Sequence, residues 1–218
     1  MSLLERGLTV IVDRHIMGAQ NKRKGNALET ATAKDLSEWS GKVFRRTPAS
    51  GAWSAAEQFG VNADVISTWD RWNYIVECKY YNSPWTIENL LTNTAKFPTW
   101  VAQAVREGQE SNAPFMLVFR RNYVKPFVLM PYSSKLVGKL SQYIITDVSY
   151  VSEVSVLEER IKTVTTSQEV LLSSITPDEF VKLYRGVDWQ KQITKSPKKK
   201  VKKQDAKDVL DSLDKLDI

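Results

Sequence analysis

The run from Tyr74 to Tyr81, YIVECKYY, is apolar and aromatic except at Glu77 and Lys79. Such a composition between polar turns reads as a β-strand. Side chains on a strand alternate between faces, so Glu77 and Lys79 share one face and Cys78 takes the other. A carboxylate buried in such a run is costly unless it is paired or holds a metal. Only a solvated edge strand would escape that constraint.

The segments around this strand set the fold class. From Lys24 to Trp39, Ala27, Leu28, Ala31, Ala33, Leu36 and Trp39 recur at roughly helical spacing, and Gly41 follows as a stop. That helix carries Glu29. KVFRRTP reads as a short strand, ASGAWSAAEQFG as a loop, and NADVIST with WNYIVECKYY as two strands joined by a polar turn at Asp70 and Arg71. Thr86 to Leu91 and FPTWVAQAVREG suit helices, and PFMLVFRR and KPFVLMP form two further apolar runs separated by Asn122, Tyr123 and Val124. The expected architecture is α/β, with a central mixed sheet flanked by helices. Beyond Tyr132 the pattern weakens, except at Thr176-Pro177-Asp178-Glu179, where an N-cap, a first-turn proline and a capping-box glutamate start a short helix.

After Trp189 the hydrophobic pattern stops and Lys198, Lys199, Lys200, Lys202 and Lys203 follow. These repel one another with little apolar surface to offset ordering entropy, so a flexible linker is expected. The expected division is therefore a domain over residues 1–190, with a core at 22–131 and an extension at 132–190, then a basic linker and acidic tail over 191–218. In the tail, Val209, Leu210, Leu213 and Leu216 make an apolar stripe among aspartates, as in segments that fold into a partner's groove.

Composition narrows the function class. A net charge of +6 over 218 residues favours a polyanionic partner, although part of the excess lies in the lysine run. One cysteine and one histidine exclude a disulfide and a Cys/His structural zinc site. No signal-peptide pattern and no apolar run near the ~20 residues that span a bilayer are found, so a cytoplasmic protein without a membrane partner is expected.

Twelve residues separate Asp64 from Glu77. If their strands pair as a hairpin, Asp64 lies beside Glu77, and two carboxylates with a main-chain carbonyl make a hard oxygen site suited to Mg²⁺, with Mn²⁺ as a substitute. Phosphodiester hydrolysis needs an activated water and compensation for charge growing on phosphorus. A divalent cation supplies both, and Lys79 orients the nucleophile or neutralises that charge. Glu29, from the preceding helix, can complete the coordination directly or through water. An ExK triplet with an upstream aspartate also arises by chance in strands of soluble proteins, and burial is what raises its meaning here.

In order and approximate spacing, RKGNALE, VFRRTPASG, ADVIS, YIVECK and APFMLVFRRNYVKPFVLMP resemble the archaeal-type Holliday-junction resolvases of the PD-(D/E)xK superfamily, over roughly Lys22 to Pro131. The resemblance implies a restriction-endonuclease-like core with an active site at Glu29, Asp64, Glu77 and Lys79, metal held by Asp64, Glu77 and Glu29, and DNA-binding roles for Arg46 and Ser50. It implies a homodimer that places paired symmetric nicks in branched DNA. The loop from Gly51 to Asn62 is longer than in such enzymes, and Thr30 stands where many carry arginine. These departures bear on junction specificity more than on metal chemistry.

Arg23 and Lys24, with Lys22, are candidate phosphate contacts, the plainer reading being a solvated charge run. Trp53, Trp69, Trp72, Trp85 and Trp100 suit a core or dimer interface better than base stacking, Trp53 being the exception. Gln103 falls where related nucleases place a residue near the metal. His15 reads as structural or surface, and Cys78 as a small packed hydrophobe. The tail over 208–218 resembles the short acidic peptides by which some phage replication and transcription proteins hold a sliding clamp. The reading is thus a Mg²⁺-dependent, structure-selective DNA endonuclease of phage origin, in the host cytoplasm. The alternatives are a restriction-like, repair or nicking nuclease of the same superfamily, and a non-catalytic DNA-binding adaptor. The presence of all four polar positions together argues against the adaptor.

Overall fold

The computed structural model describes residues 23–47, 63–81, 86–94, 96–152 and 158–195. Lys22, His15, Ser50, Trp53, the loop from Gly51, Trp85, the lysine run and the tail lie outside the described residues. Helix α1 covers residues 23–40, followed by β1 (Phe44–Arg46), β2 (Val65–Ser67) and β3 (Ile75–Tyr81). Next come α2 (Ile87–Leu91), α3 (Phe97–Glu110), β4 (Phe115–Arg121), β5 (Phe127–Pro131) and α4 (Ser134–Val137). The remainder is β6 (Ile144–Val151), β7 (Glu158–Ser167), α5 (Gln168–Ser174), α6 (Pro177–Phe180), a 3₁₀ turn at Trp189–Gln192 and β8 (Ile193–Lys195).

Among the described residues, eight strands form one sheet in the order β1-β2-β3-β4-β5-β7-β6, with β8 on β7. Of these strand pairs, β3 and β4 run parallel, with Lys79 opposite Phe119, and the other described pairs are antiparallel. The sheet is mixed because α3 carries the chain back between β3 and β4, the connection a parallel pair needs. β4 is buried from Phe115 to Phe119 on both faces, as expected for a continuous apolar run with layers on either side. On one side, α1 buries Leu28, Thr32, Ala33 and Leu36 and meets β3 where Cys78 Sγ lies 3.8 Å from Thr32 Oγ1. On the other, α3 lies across β3, β4 and β6 with Trp100, Val101, Ala104 and Val105 buried.

Among the described residues, tryptophans serve the core. Trp69 and Trp100 are buried, and Trp72 packs against Phe44, Tyr74 and Phe180. The helix at Thr176 has its capping box, with Glu179 N donating to Thr176 Oγ1 and Thr176 N to Glu179 Oε2.

The region after Tyr132 holds more structure than its pattern shows. β7 threads between β5 and β6, so this half of the chain completes the same sheet. Its buried positions include Thr163, Thr165 and Thr166, which count as polar in a hydropathy reading although their branched Cβ suits a strand. Structure also continues past residue 190, where a linker is expected, because Trp189 is buried and β8 pairs with Glu159–Ile161.

Candidate active site

Asp64 is held where β2 and β3 part. Its N–H donates to Val76 O at 2.9 Å, its carbonyl accepts from Thr47 N at 2.9 Å, and Thr47 Oγ1 donates to Ala63 O. The β2–β3 ladder contains only Val65 opposite Val76. Beyond it, the Cys78 N–H goes to the Asp64 carboxylate, Oδ2 at 2.8 Å. Asp64 therefore takes the place of the next ladder partner.

Glu77, 4% exposed, projects toward α3, while Cys78 turns to α1. Lys79 Nζ and Gln103 Nε2 both donate to Glu77 Oε1, the second at 2.9 Å, and Gln103 Nε2 also reaches Glu107 Oε1 at 2.9 Å. Glu29 comes from α1 and accepts from Arg46 at 3.4 Å. Arg46 is thus an ion-pair partner of a site carboxylate as well as a half-exposed cation.

Glu107 is the residue that reading the sequence misses. It sits on the buried stripe of α3, four residues after Gln103, and its Oε2 is buried with no hydrogen-bond partner among the described residues. The available signal was a carboxylate placed i,i+3 from Ala104 on an apolar helical face. Of the DNA-contact candidates, Arg23 is exposed at the start of α1, and Lys24 Nζ donates to Asn122 Oδ1 at 3.4 Å.

The electrostatics follow from this crowding. Burial, then the charge of Glu77, pushes the Asp64 carboxyl up to about 7, against the Cys78 N–H and Lys79. Burial and then Glu107 raise Glu77, and burial likewise raises Glu107. Glu29 is raised by burial and by Asp64, with Arg46 opposing. Burial by itself would favour a neutral Lys79, but Glu77, Asp64 and Glu107 outweigh it and hold the ammonium protonated.

Four carboxylates thus crowd around Lys79 and Arg46, with Arg106 3.8 Å from Glu107. This all-oxygen donor set, with excess negative charge and an orphaned carboxylate oxygen, fits a hard divalent cation. Among the described residues, no three acidic, histidine or cysteine side chains are arranged as a group that could hold a metal ion. Glu29 is turned to Arg46, Asp64 to the Cys78 amide, and Glu77 to Lys79 and Gln103. Among the described residues, no helix is long and apolar enough to cross a membrane.

A family model described as "Phage putative PDDEXK endonuclease" matches residues 20–182. The matched span runs past Pro131 and takes in β6, β7 and α5. No curated protein and no solved structure matches the chain.

Proposed function

Because the chain belongs to this family of phage PDDEXK endonucleases, we propose that it hydrolyses DNA phosphodiesters with Mg²⁺, or Mn²⁺ in its place, using Asp64, Glu77 and Lys79. The observation that carries this reading is the buried excess of carboxylate gathered around one lysine. Such a cluster is unfavourable in the bare protein and is relieved by a cation. Asp64 and Glu77 would hold the metal with Glu29 completing the set, and the ion would lower the pKa of water and offset phosphate charge.

The chain's own groups do the remainder. Lys79, kept protonated by its acidic neighbours, presents a fixed cation to the charge that grows on the phosphoryl oxygens. Gln103 bridges Glu77 and Glu107 and fixes the orientation of the Glu77 carboxylate. Arg46 neutralises Glu29 while its half-exposed guanidinium remains within reach of a backbone phosphate.

The narrower reading, drawn from the order of the sequence motifs, is resolution of four-way junctions by a homodimer, with residues 208–218 engaging a sliding clamp. The family supports an endonuclease of this superfamily acting on DNA, and substrate form is the next question. The test is cleavage of labelled four-way junction, replication fork, duplex and single-stranded DNA with Mg²⁺ or Mn²⁺, comparing the wild type with Asp64→Asn and Lys79→Ala. Metal-dependent cleavage lost in both variants is expected. Paired symmetric nicks in the junction alone would establish the resolvase, and equal rates on other forms would discard junction selectivity. Absence of metal-dependent cleavage on all four would favour a DNA-binding adaptor.

A further inference from the structure

The turn joining β4 to β5 carries a tyrosine that serves no packing role. Tyr123 is fully exposed, and its φ of 63° lies in the left-handed region that bulky side chains rarely adopt. The other non-glycine residues with positive φ among those described are Asn93 and Asn112, of the type that tolerates it. Asparagine or glycine would suit the backbone at 123 better. The exposed phenol is therefore the feature to be explained.

The turn beneath it is firmly held. Asn122 Oδ1 accepts from Tyr80 Oη at 2.9 Å and from Lys24 Nζ at 3.4 Å, and Arg120 Nε donates to Val124 O at 3.0 Å. Lys24 Nζ and the Arg120 guanidinium lie 5.8 and 5.7 Å from the centre of the Tyr80 ring. Arg121 and Lys125 flank the turn in sequence. Tyr80 adjoins Lys79, and Lys79 lies opposite Phe119, so the turn begins where the site-bearing strands end. From Phe119 to Asn122 is roughly 10 Å of extended chain, a distance of one or two nucleotides.

We propose that this turn is a DNA-contacting tip in which Lys24 and Arg120 face phosphates beside the scissile one and Tyr123 stacks on an unpaired nucleobase. The inference rests on the DNA-endonuclease reading and adds a binding surface to it. Cations around an exposed aromatic suit a nucleic-acid strand, whose charge and base planes they match. A protein partner would call for a contiguous apolar patch, whereas the sequence neighbours of Tyr123 are Arg121 and Asn122 on one side and Val124 and Lys125 on the other, the last ion-paired with Glu169.

The test is fluorescence-anisotropy titration of a labelled forked DNA with Mg²⁺, with every variant in the full chain and in the Asp64→Asn background so that the probe stays intact. Tyr123→Phe should bind within twofold of the parent, whereas Tyr123→Ala and Tyr123→Asn should bind at least about fivefold more weakly. Tyr123→Asn should keep or raise the thermal midpoint, which separates lost stacking from lost folding. Lys24→Gln should reduce the slope of log affinity against log salt by about one. Equal fork affinity for the phenylalanine, alanine and asparagine variants would overturn the inference and leave the endonuclease reading standing. A wild type that neither binds nor cleaves DNA would remove both.

Discussion

Replacing Asp64 by asparagine should abolish cleavage and yet stabilise the metal-free protein at alkaline pH. The Asp64 carboxyl is displaced from 3.8 to about 7, chiefly by burial and then by Glu77. At ~1.36 kcal/mol per pH unit, ionising it in the fold costs about 4 kcal/mol. A folded-state pKa raised above the unfolded value means that the group's contribution to stability is fully present below about pH 4 and is lost as pH rises through about 7. Asparagine stays neutral throughout and can still accept from the Cys78 N–H. Allowing for relaxation and water entry, Asp64→Asn should gain about 2–4 kcal/mol over wild type at pH 8 in EDTA, several degrees in Tm for a chain of this size. The gain should shrink toward zero at pH 4. Urea unfolding at pH 4, 6 and 8 with and without Mn²⁺ measures it, and Mn²⁺ should stabilise the wild type more than the variant. A gain independent of pH, or no gain at pH 8, would refute the placing of Asp64 in a crowded, desolvated carboxylate cluster.

Lys79→Met should lower cleavage by at least about 100-fold while DNA binding persists, since the ammonium acts on charge that develops only in the transition state; single-turnover rates at saturating DNA would measure this. Glu107→Gln or Gln103→Ala should raise the Mn²⁺ concentration needed for half-maximal cleavage by about 10-fold, because both set the orientation of Glu77. Mn²⁺ affinity measured by calorimetry should tighten steeply between pH 6 and 8 as Asp64, with its pKa at about 7, loses its proton. Gly108→Ala should cost about 1–3 kcal/mol in urea unfolding, since its Cβ would lie 2.8 Å from Ala113 O and 3.1 Å from the Trp189 ring.

Much of the frame was legible from local periodicity, because which face a residue occupies depends on backbone geometry within a few positions. YIVECKYY alone assigns Glu77 and Lys79 to one face and Cys78 to the other, and PFMLVFRR reads as an apolar strand. The residues from Lys24 to Trp39 mark α1, and Thr176 to Glu179 mark their own cap. The partnerships were not local. Arg46 meeting Glu29, Gln103 meeting Glu77 and the Asp64 carboxylate taking the Cys78 amide join residues 17, 26 and 14 positions apart. β7 entering between β5 and β6 is equally invisible in a threonine-rich strand whose hydropathy resembles a loop. Register and packing decided these contacts, because a buried polar group is satisfied by whatever the fold brings to it and no periodic pattern along the chain records which group that is.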